Sequence, residues 1–301
     1  MENKPNVFPE EEKNSEAYYN NLMKENREKE LEEKSKGVNK PTTSTTEKPI
    51  INKPTEIEPD YNSDYDLVPL PSKGKTYPGD KERIMVSFLN GYDENILTNP
   101  HLMKSGKFLD TLFKRKIIDR DIKYEDLLVG DRDAIMLWLR ATAYGNIYPI
   151  QVMDPDTLDY FDVTIDLSTI KTKELLVDPN ENGLFEFKTP SEKYNIQFRL
   201  LTVGDLNDIE AHKEKIGDSD TLFDLATFTL KKIVMDINGE TDKNVISNII
   251  DKMRLNDVKT FKTYINSIEC GMDLNIEVET PGGSLVSTFF PFNTKFFWPE
   301  S

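Results

Sequence analysis

Sulfur and imidazole are scarce in this chain. Cys270 is the only cysteine in 301 residues, and His101 and His212 are the only histidines. One cysteine excludes an internal disulfide framework, and this set is too small for a Cys/His zinc site. An excess of positive charge is also missing. There are 54 acidic against 38 basic residues and a formal net charge of −16, which argues against a general nucleic-acid binder. No apolar run approaches the roughly 18 residues of a membrane span, and no basic-then-apolar leader opens the sequence. The expectation is a soluble chain made in a cytoplasm, without membrane insertion. There is no G-x-S-x-G, no H-E-x-x-H and no phosphate-cradling glycine loop, so no enzyme activity, cofactor or metal is expected. Carboxylates are abundant, but no segment pairs a Glu with an aromatic, substrate-gripping cleft of the glycosidase kind.

What is present is organised around Gly130–Gly145. Asp131 is a plausible N-cap, Ile135, Trp138, Leu139 and Thr142 recur at helical spacing, and Gly145 is placed as a terminating glycine. Arg132 and Arg140, eight positions apart, fall within one broad polar face. They are expected as solvated arginines or as contacts to a partner.

Residues 1–65 read as an extended or disordered arm. The first part is rich in Glu, Lys and Asn, and Lys40 to Pro59 is rich in Pro and Thr. Phe8, Tyr18 and Tyr19 are its candidate anchors for a neighbouring subunit. Residues 66–145 read as mainly helical with a short strand at Ile84, Val86 and Phe88. A break is expected over Asn95–Pro100, then a short helix, a bend at Gly106 and a longer helix reaching Arg120. The basic run Lys114-Arg115-Lys116 is expected on a solvated face near that helix's end. A second short helix, Tyr124 to Val129, leads into the central one.

Residues 146–301 read as an antiparallel sheet domain. Period-two alternation marks Tyr148–Val152, Phe161–Leu167, Leu184–Phe187 and Tyr194–Leu200. About 202–270 reads as an inserted helical bundle, with Thr202 to Asp205 as a capped start and Leu255-Asn256-Asp257 capping the last helix. A hairpin around Pro281-Gly282-Gly283 then rejoins the earlier sheet. The fold class is therefore α+β. The ending, Phe292, Phe296, Phe297 and Trp298, needs an apolar home, in the chain's own core or in a partner.

The order of several short pieces resembles the baseplate hub protein family of contractile-tailed, T-even-like bacteriophages. These are Leu70-Pro71-Ser72-Lys73-Gly74, Ile96-Leu97-Thr98-Asn99, Leu109-Asp110-Thr111-Leu112, Gly130-Asp131-Arg132, Arg140 to Gly145, and Phe296-Phe297-Trp298-Pro299. Members often carry a Cys-Pro-x-Cys pair where this chain has Asp154-Pro155-Asp156-Thr157. The resemblance implies a virion structural subunit of the tail baseplate, working through protein–protein interfaces. Its partners would be other tail and baseplate proteins, with copies of itself a further candidate. Arg132, Arg140, Tyr144 and the aromatic residues of both ends are the interface candidates. An assembly chaperone absent from the mature particle is the alternative, and a peptidoglycan hydrolase is a third reading.

Overall fold

The structure, a computed structural model, describes residues 57–216, 221–290 and 296–297, all within the compact unit Glu56–Ser301. Helices and short antiparallel strands alternate along it, which is the expected α+β class. The arm anchors Phe8, Tyr18 and Tyr19, and Phe292 and Trp298 of the ending, lie outside the described residues.

Strand β1 (Tyr65–Pro69) pairs antiparallel with β2 (Arg83–Ser87), and the loop between them carries Ser72 and Gly74. Gly74 has φ +72°, and a side chain there would run into the Lys81 backbone, so the loop tolerates only glycine at that point. Helix α1 (Gly91–Leu97) is capped by Asn90 with a reciprocal bond from Asp93, and it occupies part of the expected break. Asn99 caps α2 (Pro100–Lys104), Gly106 makes the bend, and α3 (Phe108–Lys116) follows. The next element is a single 3-10 turn, Tyr124–Asp126, shorter than the expected helix.

The central helix α4 (Val129–Tyr144) is sunk in the core. Ile135, Met136, Leu137, Leu139 and Arg140 are all buried, so apolar contact reaches almost all round it, whereas Thr142 is exposed. Its N-cap is Leu128, with Asp131 inside the first turn instead of at the cap. Gly130 sits so close to the Cys270 carbonyl that any Cβ would overlap it. That close crossing fixes α4 against β9 (Gly271–Met272), which pairs with β5 (Thr172–Lys173).

The strands do not form one sheet. Among the described residues there are four two-stranded sheets and one of three strands. β3 (Ile147–Met153) pairs with β4 (Tyr160–Asp166). β6 (Phe185–Lys188), β7 (Asn195–Phe198) and β8 (Val234–Ile237) make the three-stranded sheet. The helical block is α5 (Val203–Ile216), α6 (Thr221–Ile233), α7 (Lys243–Asp251) and α8 (Leu255–Ile268), with β8 interrupting it. Among the described residues the final hairpin, β10 (Asn275–Glu279) with β11 (Leu285–Phe289), forms no strand ladder with an earlier strand. The expected return to the earlier sheet is not made; the hairpin packs on the core through Leu274, Ile276, Val286 and Phe290. Leu255 to Asp257 form the first turn of α8, and Arg254 stands at the N-cap position without a side-chain capping bond. Asp257 instead accepts from the Ser191 amide at 3.1 Å and its hydroxyl at 2.8 Å.

Candidate partner interface

Three polar ties, two of them buried and one half-buried, hold the body in shape. The Asp131 carboxylate accepts from the Ser72 amide at 2.9 Å and the Tyr77 hydroxyl at 2.6 Å, and Tyr77 in turn accepts from the Leu128 amide at 2.8 Å. Burial pushes the Asp131 carboxyl up against the opposing pull of these bonds. Asp110 accepts from Tyr124 at 3.0 Å and Asn207 at 3.1 Å, fastening α3 to α5. Lys116 is fully buried, 2.6 Å from Asp93 and 3.2 Å from Asp60, and donates to the Phe88 carbonyl at 2.9 Å. The expected solvated face of Lys114-Arg115-Lys116 is therefore wrong for Lys116. Position 116 continues the stripe of Leu109, Leu112 and Phe113, spaced three, four and seven along the helix. That spacing was the signal available in the sequence. Asp60 is already anchored here, its amide donating to the Arg115 carbonyl at 2.9 Å, so fixed chain starts before Tyr65.

The sequence-derived interface residues scatter. Arg132 is held by its neighbour Asp133 through Nε at 3.0 Å and Nη2 at 2.7 Å. Arg140 is only 2% exposed, which corrects its expected place on a polar face. Its guanidinium lies over the rings of Tyr144 (4.7 Å) and Tyr148 (5.5 Å), one long bond reaches the Gly145 carbonyl at 3.4 Å, and Nε has no partner. Tyr148, in β3, meets this guanidinium, while Thr142 to Tyr144 of the last turn stay exposed. Phe296 and Phe297 are buried, 5.0 Å apart edge to face, and Phe296 also meets Tyr148 at 5.3 Å and Phe290 at 5.6 Å. These two rings belong to the chain's own core. Among the described candidates Tyr144 alone is exposed, on the rim of a 500 Å³ groove with Asn90, Glu94 and Leu97.

The larger exposed apolar surface lies elsewhere, on the two hairpins. Met153 and Tyr160 face each other across the β3–β4 pair, and Leu158 lies at its tip; they are 45%, 70% and 69% exposed. Leu285 and Phe289 project from β11 at 73% and 63%. Exposed aromatic and large aliphatic groups grouped this way mark contact surfaces in soluble proteins. Their outward phase on alternating strands was legible, since Leu285 and Phe289 share the phase of Ser287. Asp154-Pro155-Asp156-Thr157 supplies the turn between β3 and β4. Asp154 is buried and accepts from the Asp156 amide at 2.9 Å, a turn closed by its own side chain.

Cys270 is half-buried, and burial pushes its thiol up to about 12, far from a nucleophile's range. Among the described residues no group of three or more His, Cys, Asp or Glu is placed to hold a metal. Also among them, no helix is long and apolar enough to cross a membrane.

The short pieces that carry the phage resemblance turn out to do architectural work. Ser72 and Gly74 shape the loop that Asp131 holds, Asn99 caps a helix, and Asp110 ties two helices. No curated protein and no solved structure matches the chain. The family described as T4 bacteriophage base plate protein matches residues 89–291, well over half of the 301 residues. The chain belongs to that family and has a structural role in the phage tail baseplate.

Proposed function

We propose that the chain is a hub-type structural subunit of the baseplate and acts by burying surface against several neighbours, with no reaction of its own. The observation that carries this reading is the family match over 89–291. The exposed apolar residues of the two hairpins and the Tyr144 groove support it as surfaces for other tail proteins, and copies of the chain are further candidates. A stable contact requires about 800 Å² per partner. Residues 1–65 would add reach as an arm, 66–145 would be the helical segment against which it is fixed, and 146–301 would present the hairpins. Host cytoplasmic synthesis, with assembly into the virion tail, completes the proposal.

Mass spectrometry of purified virions tests it. The chain should be present at a fixed ratio to other baseplate proteins. Its absence from finished particles, combined with binding to a hub protein during assembly, would replace the reading with that of an assembly chaperone. Turnover of peptidoglycan by the pure protein, abolished by a single Glu→Gln change, would replace it with a hydrolase.

A further inference from the structure

Two strand edges with free backbone groups face one another across a cleft of about 750 Å³. One side is the run 161–166 of β4 and the other is 276–281 of β10 and its turn. Among the described residues no hydrogen bond crosses from one run to the other, and each strand bonds only to its own hairpin partner.

The direction of the free groups follows from the registers. The Leu167 amide donates to the Asn146 carbonyl and the Asp154 amide to the Asp159 carbonyl, so the bonded pairs of the first hairpin include Tyr148↔Ile165 and Ile150↔Val163. Pro149, which has no N–H, sits opposite Thr164 in a non-bonded pair, as that phase requires. The N–H and C=O of Asp162 and Thr164 and the N–H of Asp166 therefore point away from β3, into the cleft, while the Asp166 carbonyl accepts from the Thr169 hydroxyl at 2.7 Å. In the second hairpin the Phe290 amide donates to Leu274 and the Thr280 amide to Ser284. Ile276↔Thr288 and Val278↔Val286 are the bonded pairs, which leaves Asn275, Glu277 and Glu279 aiming their backbone groups into the same space.

The side chains set what would fit. Ile165 and Val278 are buried and Phe161, Val163 and Ile276 half-buried, so both hairpins lay this face on the core. On the outer face stand Asp162, Thr164, Glu277 and Glu279, all exposed, with Asp166 half-buried beside them, and no Lys or Arg lines the cleft. The two tips meet where the Ser284 hydroxyl donates to Asp156 at 3.1 Å.

We propose that this cleft receives one extended strand from a neighbouring baseplate subunit, with small apolar residues toward the core alternating with Lys or Arg on the outside. Six residues at strand spacing cover about 20 Å, the length of the free edges. Insertion would join the two hairpins into one five-stranded sheet. The carboxylates favour a cationic strand through cross-strand pairing and oppose pairing with another acidic edge of the same kind. This inference rests on the baseplate reading and specifies one of its contacts.

Amide hydrogen exchange, on the free full-length protein and on purified baseplates, tests it. The amides of Asp162, Thr164, Glu277 and Glu279 should exchange freely in solution and slow by an order of magnitude or more in the particle. Fast exchange in both states, with the chain present in the particle, overturns the strand and leaves the baseplate role standing. Slow exchange already in the free chain also overturns it, because the edges would then be covered from within. A chain absent from the particle overturns both. As a second measurement, Glu277→Lys with Glu279→Lys should keep the melting temperature and lower incorporation into tails by about tenfold, the loss of roughly 1.4 kcal/mol. Unchanged incorporation would rule out a cationic occupant. Thr164→Pro removes an inward-aimed donor without touching the β3–β4 ladder and should also block incorporation, whereas Val163→Pro breaks the ladder and destabilises the fold.

Discussion

The amide of Ser72 donates to the carboxylate of Asp131 across 59 residues of sequence, at 2.9 Å and fully buried. The same carboxylate holds the Tyr77 hydroxyl. Replacing Asp131 with Ala would strand both donors away from water, at about 1–3 kcal/mol each. Chemical denaturation of Asp131→Ala should show about 3 kcal/mol lost, with Tyr77→Phe losing less. A cost under 1 kcal/mol would mean that the loop is held by something other than Asp131.

The buried ion cluster makes a second prediction. Lys116 and Asp93 are both fully buried, and Arg115 also reaches Asp93 at 3.0 Å. Lys116→Met takes away the buried partner of Asp93 and leaves it only the partly exposed Arg115 guanidinium, so a cost of about 3 kcal/mol or more is expected. A double-mutant cycle with Asp93→Asn should give a coupling energy of about 1–3 kcal/mol. Additive losses would show that the pair contributes nothing specific.

These two networks also mark what the sequence could and could not convey. Elements whose pattern is local were legible: the bend at Gly106, the Asn99 cap, the Gly145 stop, the four helices between Thr202 and Cys270 and the last hairpin all follow from turn chemistry and periodicity. Pairing between distant pieces was not. Alternation identifies a strand but not its neighbour, which is why one sheet was expected over 146–301 where, among the described residues, four small ones form. Arg140 was misplaced because the polar face of a helix is defined by what packs on it, and the Tyr144 and Tyr148 rings pack on this residue. The interface candidates suffered similarly. Phe296 and Phe297 look like anchors in sequence, but Phe296 meets Tyr148 of β3, far away in the chain, and Phe290, just past β11.

Acid should weaken the junction between β7 and α5. Burial raises the Asp205 carboxyl, but Arg199 and the Thr202 amide and hydroxyl outweigh it, and the net shift is downward. Arg199 Nη2 lies 2.8 Å from Oδ1, and the Thr202 amide 3.1 Å from Oδ2. A carboxyl depressed on folding adds stability above its unfolded value of about 3.9, and that stability is lost as pH falls through the folded value. The difference in unfolding free energy between the wild type and Asp205→Asn should therefore be constant above about pH 5 and shrink below about pH 4. A gap that widens on acidification would contradict the pairing.

Arg140 carries a charge that burial holds below its ordinary proton affinity, and no carboxylate among the described residues pairs with it. Two aromatic faces contribute about 1–2 kcal/mol each at best, against a desolvation penalty of several kcal/mol. Arg140→Met keeps most of the volume and removes the charge, so thermal unfolding should occur at the same temperature or higher. If incorporation into tails nevertheless falls, the arginine is retained for a partner. A clear drop in stability would show that the tyrosine cage outweighs desolvation.

The fate of the last aromatic residues decides how truncation should behave. Were Phe296 and Phe297 partner anchors, cutting after Asn293 would weaken association and spare the fold. Both rings are instead fully buried, edge to face with one another and, through Phe296, with Tyr148 and Phe290. Removing a buried Phe side chain costs about 3–5 kcal/mol, because the space it leaves cannot close completely. Phe296→Ala should therefore lower the melting temperature sharply in the isolated protein, with no partner present, and truncation after Asn293 should do so more strongly. Phe297→Leu, which keeps most of the volume, should cost under about 1.5 kcal/mol. Normal melting of Phe296→Ala together with lost pull-down of tail proteins would return these rings to the interface.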